Sequence, residues 1–224
     1  MANAILIIGK SGSGKSTSIR NLNPKTTFII NVEDKDLPFK GGRKNYVSRF
    51  ENNEPGNYCA SDDTKTIIKT IRYVNDLQPH IKCLIIDDFG YVMCNSFMNK
   101  AMIKGYDKFS EIGKDTFDGL NSIIKSLRPD LQCFIMMHSE LGDDGKTKPK
   151  TIGKMVDQYI CIEGKFTTVL HSLCVDGKYY FVTNDDGHHM AKSPIGMFPG
   201  IMIENDLKTV IETVNNYYNE DITQ

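Results

Sequence analysis

The sequence lacks the features that would place the chain in a membrane or in a disulfide-bonded, secreted class of protein. Its first apolar run, residues 4–8, is too short for a signal peptide, and no stretch approaches the length of a membrane span. The 6 cysteines include no C-x-x-C pair. Because Cys83 and Cys133 fall in predicted buried strands, we expect reduced thiols in a cytoplasmic protein with no membrane partner.

An excess of charge of one sign is also missing. The 27 Lys and Arg nearly balance the 28 Asp and Glu, and the formal net charge of -1 excludes a global attraction to nucleic acid. Any basic surface must therefore be local. Repeats and low-complexity tracts are absent as well, and a chain of 224 residues is most simply one domain over residues 1–224.

What the sequence does contain is a glycine-rich motif, GKSGSGKST, at residues 9–17. It matches the phosphate-binding pattern G-x-x-x-x-G-K-[ST]. An apolar, β-branched run precedes it and predicts a buried strand, while a helix is predicted after it, ending before Pro24. Strand, loop and helix thus follow the order that a nucleoside-triphosphate site needs.

The residue types of this loop suit a triphosphate and its magnesium ion. Glycines let backbone N–H groups approach the phosphates closely, and the amino end of the following helix favours an anion. Lys15 places a cation on the β- and γ-phosphates, and the Ser16 hydroxyl is a ligand for Mg²⁺. The predicted nucleotide contacts are Gly9, Lys10, Ser11, Gly12, Ser13, Gly14, Lys15, Ser16 and Thr17.

Polar residues end three further predicted strands. Asp87 is the first acid after an apolar run and is predicted to hold Mg²⁺, with Asp88 holding a water. Glu33 ends the strand next to the loop and either accepts a proton from the attacking water or is a solvated loop residue. His138 either reaches the γ-phosphate or is a structural histidine.

The order of patterns predicts an α/β fold with a mostly parallel central sheet flanked by helices, followed by a C-terminal antiparallel hairpin at Asp176-Gly177. Helices are predicted over residues 64–77 and 116–127 and from near residue 205. Residues 89–115 are expected to form a mobile excursion with a short helix. Further strands are predicted at residues 158–163 and 166–175.

Two basic segments are candidates for contact with single-stranded nucleic acid. Residues 35–58 combine cations with aromatic rings, and residues 142–154 are predicted to form an exposed basic loop. The alternative is that both are ordinary solvated faces. The cations concerned are Lys40, Arg43, Lys44, Lys146, Lys148, Lys150 and Lys154.

Over nearly its whole length the chain resembles the RecA-like ATPases carried by phages, the AAA-domain group associated with single-strand annealing and recombination. Beside the loop, the similar stretches are FIINVED (28–34), LIIDD (84–88), KTIGK (150–154) and EGKFT (163–167). Many families share the nucleotide motifs. The segments LPFKGGRKNY (37–46) and AKSPIGMF (191–198) make this resemblance specific.

The resemblance implies a RecA-like homo-oligomer in the host cytoplasm that hydrolyses ATP with Mg²⁺ on single-stranded DNA, with a single-strand-binding protein as a further partner. It implies that Glu33 activates the water and that His138 stands where the family usually has a γ-phosphate-sensing glutamine. DNA-binding loops are implied around residues 90–115 and 141–154. Lys192 is the candidate cation supplied to the phosphates of a neighbouring subunit.

Two other functions fit the same loop. A nucleotide or small-molecule kinase would need an acceptor pocket and usually a lid with arginines, yet only Arg128 follows Arg72. A nucleotide-dependent switch that recruits a replication partner would bind without turnover. Adjacent His188 and His189 seldom share one metal, so the predicted metal ligands remain Ser16 and Asp87.

Overall fold

The computed structural model describes residues 4–49, 54–153, 157 and 160–220. Its strands are β1 (Ala4–Gly9), β2 (Thr27–Asn31), β3 (Tyr58–Ala60), β4 (Cys83–Asp87), β5 (Gln132–Leu141), β6 (Thr147–Pro149), β7 (Thr168–Val175), β8 (Lys178–Val182) and β9 (Met202–Glu204). Its principal helices are α1 (Gly42–Asn45), α2 (Thr64–Leu77), α3 (Gly90–Asn99), α4 (Asp107–Ser126) and α5 (Leu207–Glu220). In addition, 3₁₀ helices span Ser16–Asn21 and Glu163–Lys165.

The strands form one sheet in the order β3-β2-β4-β5-β1-β7-β8-β9, with β6 paired to β5 away from this path. All pairings from β3 to β7 along this order are parallel, whereas β7, β8 and β9 pair antiparallel. The predicted α/β fold, with a mostly parallel sheet and an antiparallel extension, is therefore confirmed. The loop-bearing strand β1 lies inside the sheet, between β5 and β7.

Helices cover both faces of this sheet. Alternate residues of a strand point to opposite faces. On β1, Leu6 and Ile8 join the core formed with α2, α3 and α4, while Ile5 and Ile7 join the core formed with α5 and the 3₁₀ helix at Ser16–Asn21. Burial on both faces explains why β1 is a continuous apolar run rather than an alternating one.

The helix predicted at residues 64–77 forms as α2. Its buried residues Ile67, Ile71 and Val74 lie one helical turn apart, and the Asp63 side chain caps the amino end by accepting a hydrogen bond of 2.8 Å from the Thr66 N–H. Pro79 follows two residues after the last helical residue. Local sequence signals therefore determine this helix.

Other elements differ from the prediction. Helix α4 begins at Asp107 rather than near residue 116, because its buried stripe already starts at Ile112, so residues 89–115 are largely helical. The segment after the loop is a 3₁₀ helix, and residues 160–163 form no strand. Residues 158 and 159 of that predicted strand lie outside the described residues. Within the described part of the chain, the helices are all too short or too polar to cross a membrane.

The predicted basic loop at residues 142–154 is also different in the structure. Strand β5 continues to Leu141, and β6 returns beside it as an antiparallel strand, with Glu140 opposite Lys148. A turn at Gly142–Gly145 joins the two strands, held by a hydrogen bond of 2.7 Å from the Gly142 N–H to the Lys146 carbonyl. This hairpin brings Lys150 back to the carboxyl end of the parallel sheet, where its N–H donates to the His138 carbonyl at 2.7 Å.

Candidate functional site

The candidate site lies where the parallel strands β1, β5 and β4 end. Gly9, the last residue of β1, is in register with His138 on β5, and Asp87 ends β4 on the far side of β5. In parallel sheets, ligands bind at this carboxyl edge. The sheet therefore brings the glycine loop, Asp87, Asp88 and His138 to one place, although they are far apart in the sequence.

Close packing and backbone geometry explain two of the glycines in the loop. Gly14 has a φ of +100°, and a Cβ there would lie 2.6 Å from the Tyr179 ring. A Cβ at Gly9 would lie 2.6 Å from the Ser172 carbonyl oxygen. A larger residue would have to displace the backbone of β7 at Gly9, and at Gly14 it would have to displace the Tyr179 side chain and adopt an unfavourable φ, so both positions favour glycine.

A chain of buried hydrogen bonds holds the loop against the C-terminal part of the fold. Ser172 Oγ donates to the Ser13 carbonyl at 2.8 Å, and Asn205 Nδ2 donates to Ser172 Oγ at 3.1 Å. Arg20, just after the loop, donates to the Asn205 carbonyl at 2.6 Å. This brace could not be predicted from the sequence, because its bonds join residues that are 33, 159 and 185 positions apart in the chain.

Lys15 sits inside the loop and is only 5% exposed. Its Nζ donates to the carbonyl oxygens of Gly9 at 2.9 Å and Lys10 at 3.0 Å. Burial lowers the pKa of Lys15, and the negative charges of Asp88 and Asp87 oppose that effect. The ammonium group of Lys15 thus lies in the site with the carboxylates of Asp87 and Asp88 nearby.

Asp87 and the predicted metal ligand Ser16 line the same cavity. Asp87 is 4% exposed, and its Oδ1 has no hydrogen-bond partner among the described residues. Burial, followed by the charge of Asp88, raises the pKa of Asp87 to about 6. A buried oxygen without a partner beside a hydroxyl is the arrangement that a cation would complete.

These two side chains suit Mg²⁺ in particular. Mg²⁺ is usually bound through one or two carboxylates together with substrate phosphates and waters, rather than by a cage of protein ligands. Among the residues that the structure describes, no group of three or more His, Cys, Asp or Glu could hold a metal by itself. Ser16 and Asp87 therefore fit the magnesium ion of a bound triphosphate.

Asp88 contacts side chains from two other parts of the chain, the segment after β2 and strand β5. Its φ of 63° lies in the left-handed region, which is unfavourable for most residues other than glycine and often marks a functional position. Its carboxylate contacts Lys35 Nζ at 3.1 Å and His138 Nε2 at 3.3 Å. Burial and the nearby charge of Lys15 lower the pKa of His138, which favours a neutral ring at pH 7.

These groups surround a cavity of about 300 Å³, which we call the loop cavity. Its lining includes Gly14, Lys15, Ser16, Asp87, Asp88 and Tyr179. Tyr179 comes from β8, packs on Gly14 and was not predicted as a site residue. Its position could not be read from the sequence, because it depends on the antiparallel pairing of β7 with β8.

Glu33 is placed differently from the prediction. Strand β2 does not lie next to the loop-bearing strand, because β4 and β5 separate them. Glu33 Oε1 accepts a hydrogen bond of 3.0 Å from Asn95 Nδ2, and Glu33 is not among the residues that line the loop cavity. Its role as general base stays a prediction, whereas Asp36, Asp87 and Asp88 line the loop cavity.

The cations predicted to contact DNA fall into different groups. Lys40, Lys44 and Lys150 are exposed, and within the described residues they form no ion pair. In contrast, Arg43 pairs with Asp36, Lys146 with Asp185, and Lys148 with Asp157 and Glu140. Lys154 lies outside the described residues. Paired cations are already partly neutralised, so the exposed and unpaired ones are the better candidates.

The aromatic residues described in the segment 35–58, Phe39, Tyr46 and Tyr58, make contacts within the fold, and Phe50 lies outside the described residues. Tyr46 is 5% exposed and packs edge-on against Phe39, at a centroid distance of 6.4 Å. The Tyr58 hydroxyl donates to Asp34 at 2.8 Å. Burial makes Tyr46 unavailable to bases, and stacking of bases on the other rings of the segment stays a prediction.

Lys192 and the histidine pair lie outside the loop cavity. The Lys192 backbone pairs with Val169 in the interior of β7, so a contact of its side chain with the phosphates of a neighbouring subunit stays a prediction. His189 Nδ1 contacts Asp186 Oδ2 at 2.8 Å, and its ring lies 4.6 Å from that of His171. Burial, followed by the charge of His189, lowers the pKa of His171 to about 4.

Comparison with known proteins adds no relative. No protein-family model matches the chain, and a search of curated proteins finds none that is similar.

Proposed function

We propose that this chain is a Mg²⁺-dependent ATPase of the RecA-like P-loop type. In this proposal it acts as a homo-oligomer on single-stranded DNA, in annealing or recombination. The observation that carries the proposal is the meeting of Lys15, Ser16 and Asp87 in one cavity at the carboxyl edge of a parallel sheet. These are the cation, the hydroxyl and the carboxylate that a magnesium-bound triphosphate needs.

In the proposed hydrolysis, each of these side chains has a separate role. Lys15 binds the β- and γ-phosphates, and the loop N–H groups orient them. Mg²⁺, held by Ser16 and Asp87, would neutralise charge that develops on the phosphates. Asp88 is the carboxylate placed to orient or deprotonate the attacking water, with Glu33 as the alternative base. His138 contacts Asp88 and lines the same cavity, so it is placed to respond to the terminal phosphate.

The DNA part of the proposal rests on fewer contacts. Lys40, Lys44 and Lys150 are exposed cations, and they can bind phosphates of a strand. In an oligomer, Lys192 would serve a neighbouring subunit, and a single-strand-binding protein is a further proposed partner.

The decisive experiment is to measure phosphate release from ATP with and without a single-stranded oligonucleotide, at about 50 mM and about 200 mM salt. We expect hydrolysis that DNA stimulates, with stimulation falling as salt rises. Nucleotide binding without any turnover would contradict the proposal and support a switch instead.

A second candidate function is phosphoryl transfer to a small acceptor. One observation favours it: another cavity adjoins the loop cavity and shares Ser11, Lys35 and His138 with it. A kinase needs such an acceptor site beside the γ-phosphate. Phosphorylation of a nucleoside or nucleotide in the absence of DNA would support this function over the first.

A further inference from the structure

The adjoining cavity has a volume of about 370 Å³, and we call it the lysine cavity. Three lysines from distant parts of the chain line it: Lys10 from the glycine loop, Lys35 after β2, and Lys150 after β6. Tyr91, Cys94 and His138 also contribute to its walls. Its size lies within the range of small-molecule sites, which begins at about 300 Å³.

The charges in the lining of this cavity are positive, because they come from lysines. No Asp or Glu of the described residues lines it, although acids slightly outnumber bases in the whole chain. Lys35 has an acidic partner, Asp88, which lines the loop cavity instead. Within the described part of the chain, Lys10 and Lys150 form no ion pair. Cations that converge on one concave surface without a carboxylate create a positive potential that an anion would relieve.

The backbone around the cavity reinforces this potential. Gly90, the first residue of α3, lines the cavity, so the positive end of a 10-residue helix lies in its wall. Lys150 is held there by the bond from its N–H to the His138 carbonyl. The lysines are therefore mounted on a strand end, a hairpin and the loop, rather than on a free segment.

The shape and lining of the cavity suit a nucleotide unit. The Tyr91 ring and Ile152 provide apolar surface beside the lysines, and Lys35 Nζ lies 4.8 Å from the centre of the Tyr91 ring. A base can pack on such a surface while its phosphate meets the cations. Because the two cavities share Lys35 and His138, this phosphate would lie beside the terminal phosphate of the nucleotide in the loop cavity.

We propose that the lysine cavity is a second anion site, which binds the phosphate of a nucleotide unit next to the triphosphate. This inference deepens the proposed function and rests on it for the occupant of the loop cavity. The phosphate is presented either by a single strand or by a free mononucleotide. Both sources offer the same chemistry, and the experiment distinguishes them.

The first test measures binding of a fluorescent single-stranded oligonucleotide to the full chain by anisotropy, with Mg²⁺ and a non-hydrolysable ATP analogue present. Lys150→Ala should weaken binding about tenfold and lower the slope of log affinity against log salt by about 1. Lys25→Ala is the matched control, because Lys25 is exposed and precedes β2 at the opposite edge of the sheet. If Lys150→Ala and Lys25→Ala bound the oligonucleotide equally tightly, a single strand would not be the ligand of the lysine cavity.

The second test repeats the comparison with a deoxynucleoside monophosphate, measured by calorimetry. If it binds and Lys150→Ala weakens it while the oligonucleotide neither binds nor competes, the site stands and its ligand is a free nucleotide. If both compounds bind and compete, the strand occupies the site through one of its nucleotides. If neither affinity depends on Lys150, the proposal is wrong.

A readout without substitution uses the exposed thiol of Cys94 in the cavity wall. Ligand should slow its alkylation by iodoacetamide several-fold, whereas exposed Cys161, near the amino end of β7, should react at an unchanged rate. Unchanged alkylation of Cys94 at saturating ligand would place the ligand elsewhere.

These results can be separated from a failure of the proposed function. Affinity for the ATP analogue alone tests the loop cavity, and it is measured for each variant by the same calorimetry. If the ATP analogue binds but phosphate binding does not depend on Lys150, the assignment of the lysine cavity is wrong. If phosphate binding depends on Lys150 but the ATP analogue does not bind, the assignment of the loop cavity is wrong.

Discussion

The loop cavity and the lysine cavity are neighbours that share a wall, but they are built in opposite ways. In the loop cavity, Lys15 and Asp87 are each about 95% buried, and charges of both signs oppose one another. In the lysine cavity, Lys10 and Lys150 are exposed cations with no acidic residue of the described chain beside them in the lining. The first arrangement suits a metal together with an anion, and the second suits an anion alone.

This difference determines how rigidly each cavity holds its charged side chains before a ligand binds. Buried opposite charges must be held in one geometry, because an unpaired one would cost several kcal/mol. Exposed like charges can move apart, so their cavity tolerates ligands of different size. We therefore expect a single substitution in the loop cavity to remove most of the ATP binding or turnover. A single substitution in the lysine cavity should lower the affinity for its anion only in part.

The largest expected effect is on turnover, at Asp88 in the lining of the loop cavity. Asp88→Asn should lower the rate of phosphate release about 10²–10⁴-fold with little change in ATP affinity, because it removes the proposed general base. Asparagine tolerates the left-handed backbone at this position. Glu33→Gln is the paired variant and should lose less activity in the same steady-state assay. A greater loss from Glu33→Gln would assign the base to Glu33.

The next effect is on binding and separates the two cavities. Lys15→Ala should weaken ATP binding about a thousandfold, because two charge-assisted contacts with the phosphates are lost at about 2 kcal/mol each. Binding of a mononucleotide to the lysine cavity should persist, and Lys25→Ala should behave as the parent in calorimetry. Unchanged ATP affinity in Lys15→Ala would mean that the loop is not the nucleotide site.

The smallest effect is on stability and concerns the loop cavity alone. The folded-state pKa of Asp87, about 6, lies above its ordinary value of 3.8, so ionisation destabilises the fold as pH rises from about 4 to about 6. Without nucleotide at pH 7.5, Asp87→Asn should therefore be more stable than the parent by roughly 2–3 kcal/mol.

Urea denaturation at pH 7.5 and at lower pH checks this expectation. The advantage of Asp87→Asn should shrink as pH falls from about 6 towards about 4, where the parent carboxyl is protonated in both states. Asp143→Asn, at an exposed turn position, is the control and should show no such trend. A parent that is as stable as Asp87→Asn at pH 7.5 would contradict the raised pKa.

The two cavities also differ in how far the sequence predicts them. The loop residues are contiguous, and Asp87 directly follows an apolar strand, so motif and strand pattern together placed them correctly at one edge. The lysine cavity depends on the hairpin that returns Lys150 to His138 and on the position of α3, which are long-range contacts. The same limitation explains Glu33, whose strand was expected beside β1 but lies beyond β4 and β5.

The brace from Asn205 through Ser172 to the Ser13 carbonyl has a consequence for the end of the chain. Local unfolding of α5 would pull away a group that supports the backbone of the glycine loop. By thermodynamic linkage, whatever occupies the loop should make that unfolding rarer, and amide protons of α5 should exchange more slowly with solvent when nucleotide is bound. Amide exchange in α5 would then detect a ligand with which this helix makes no contact.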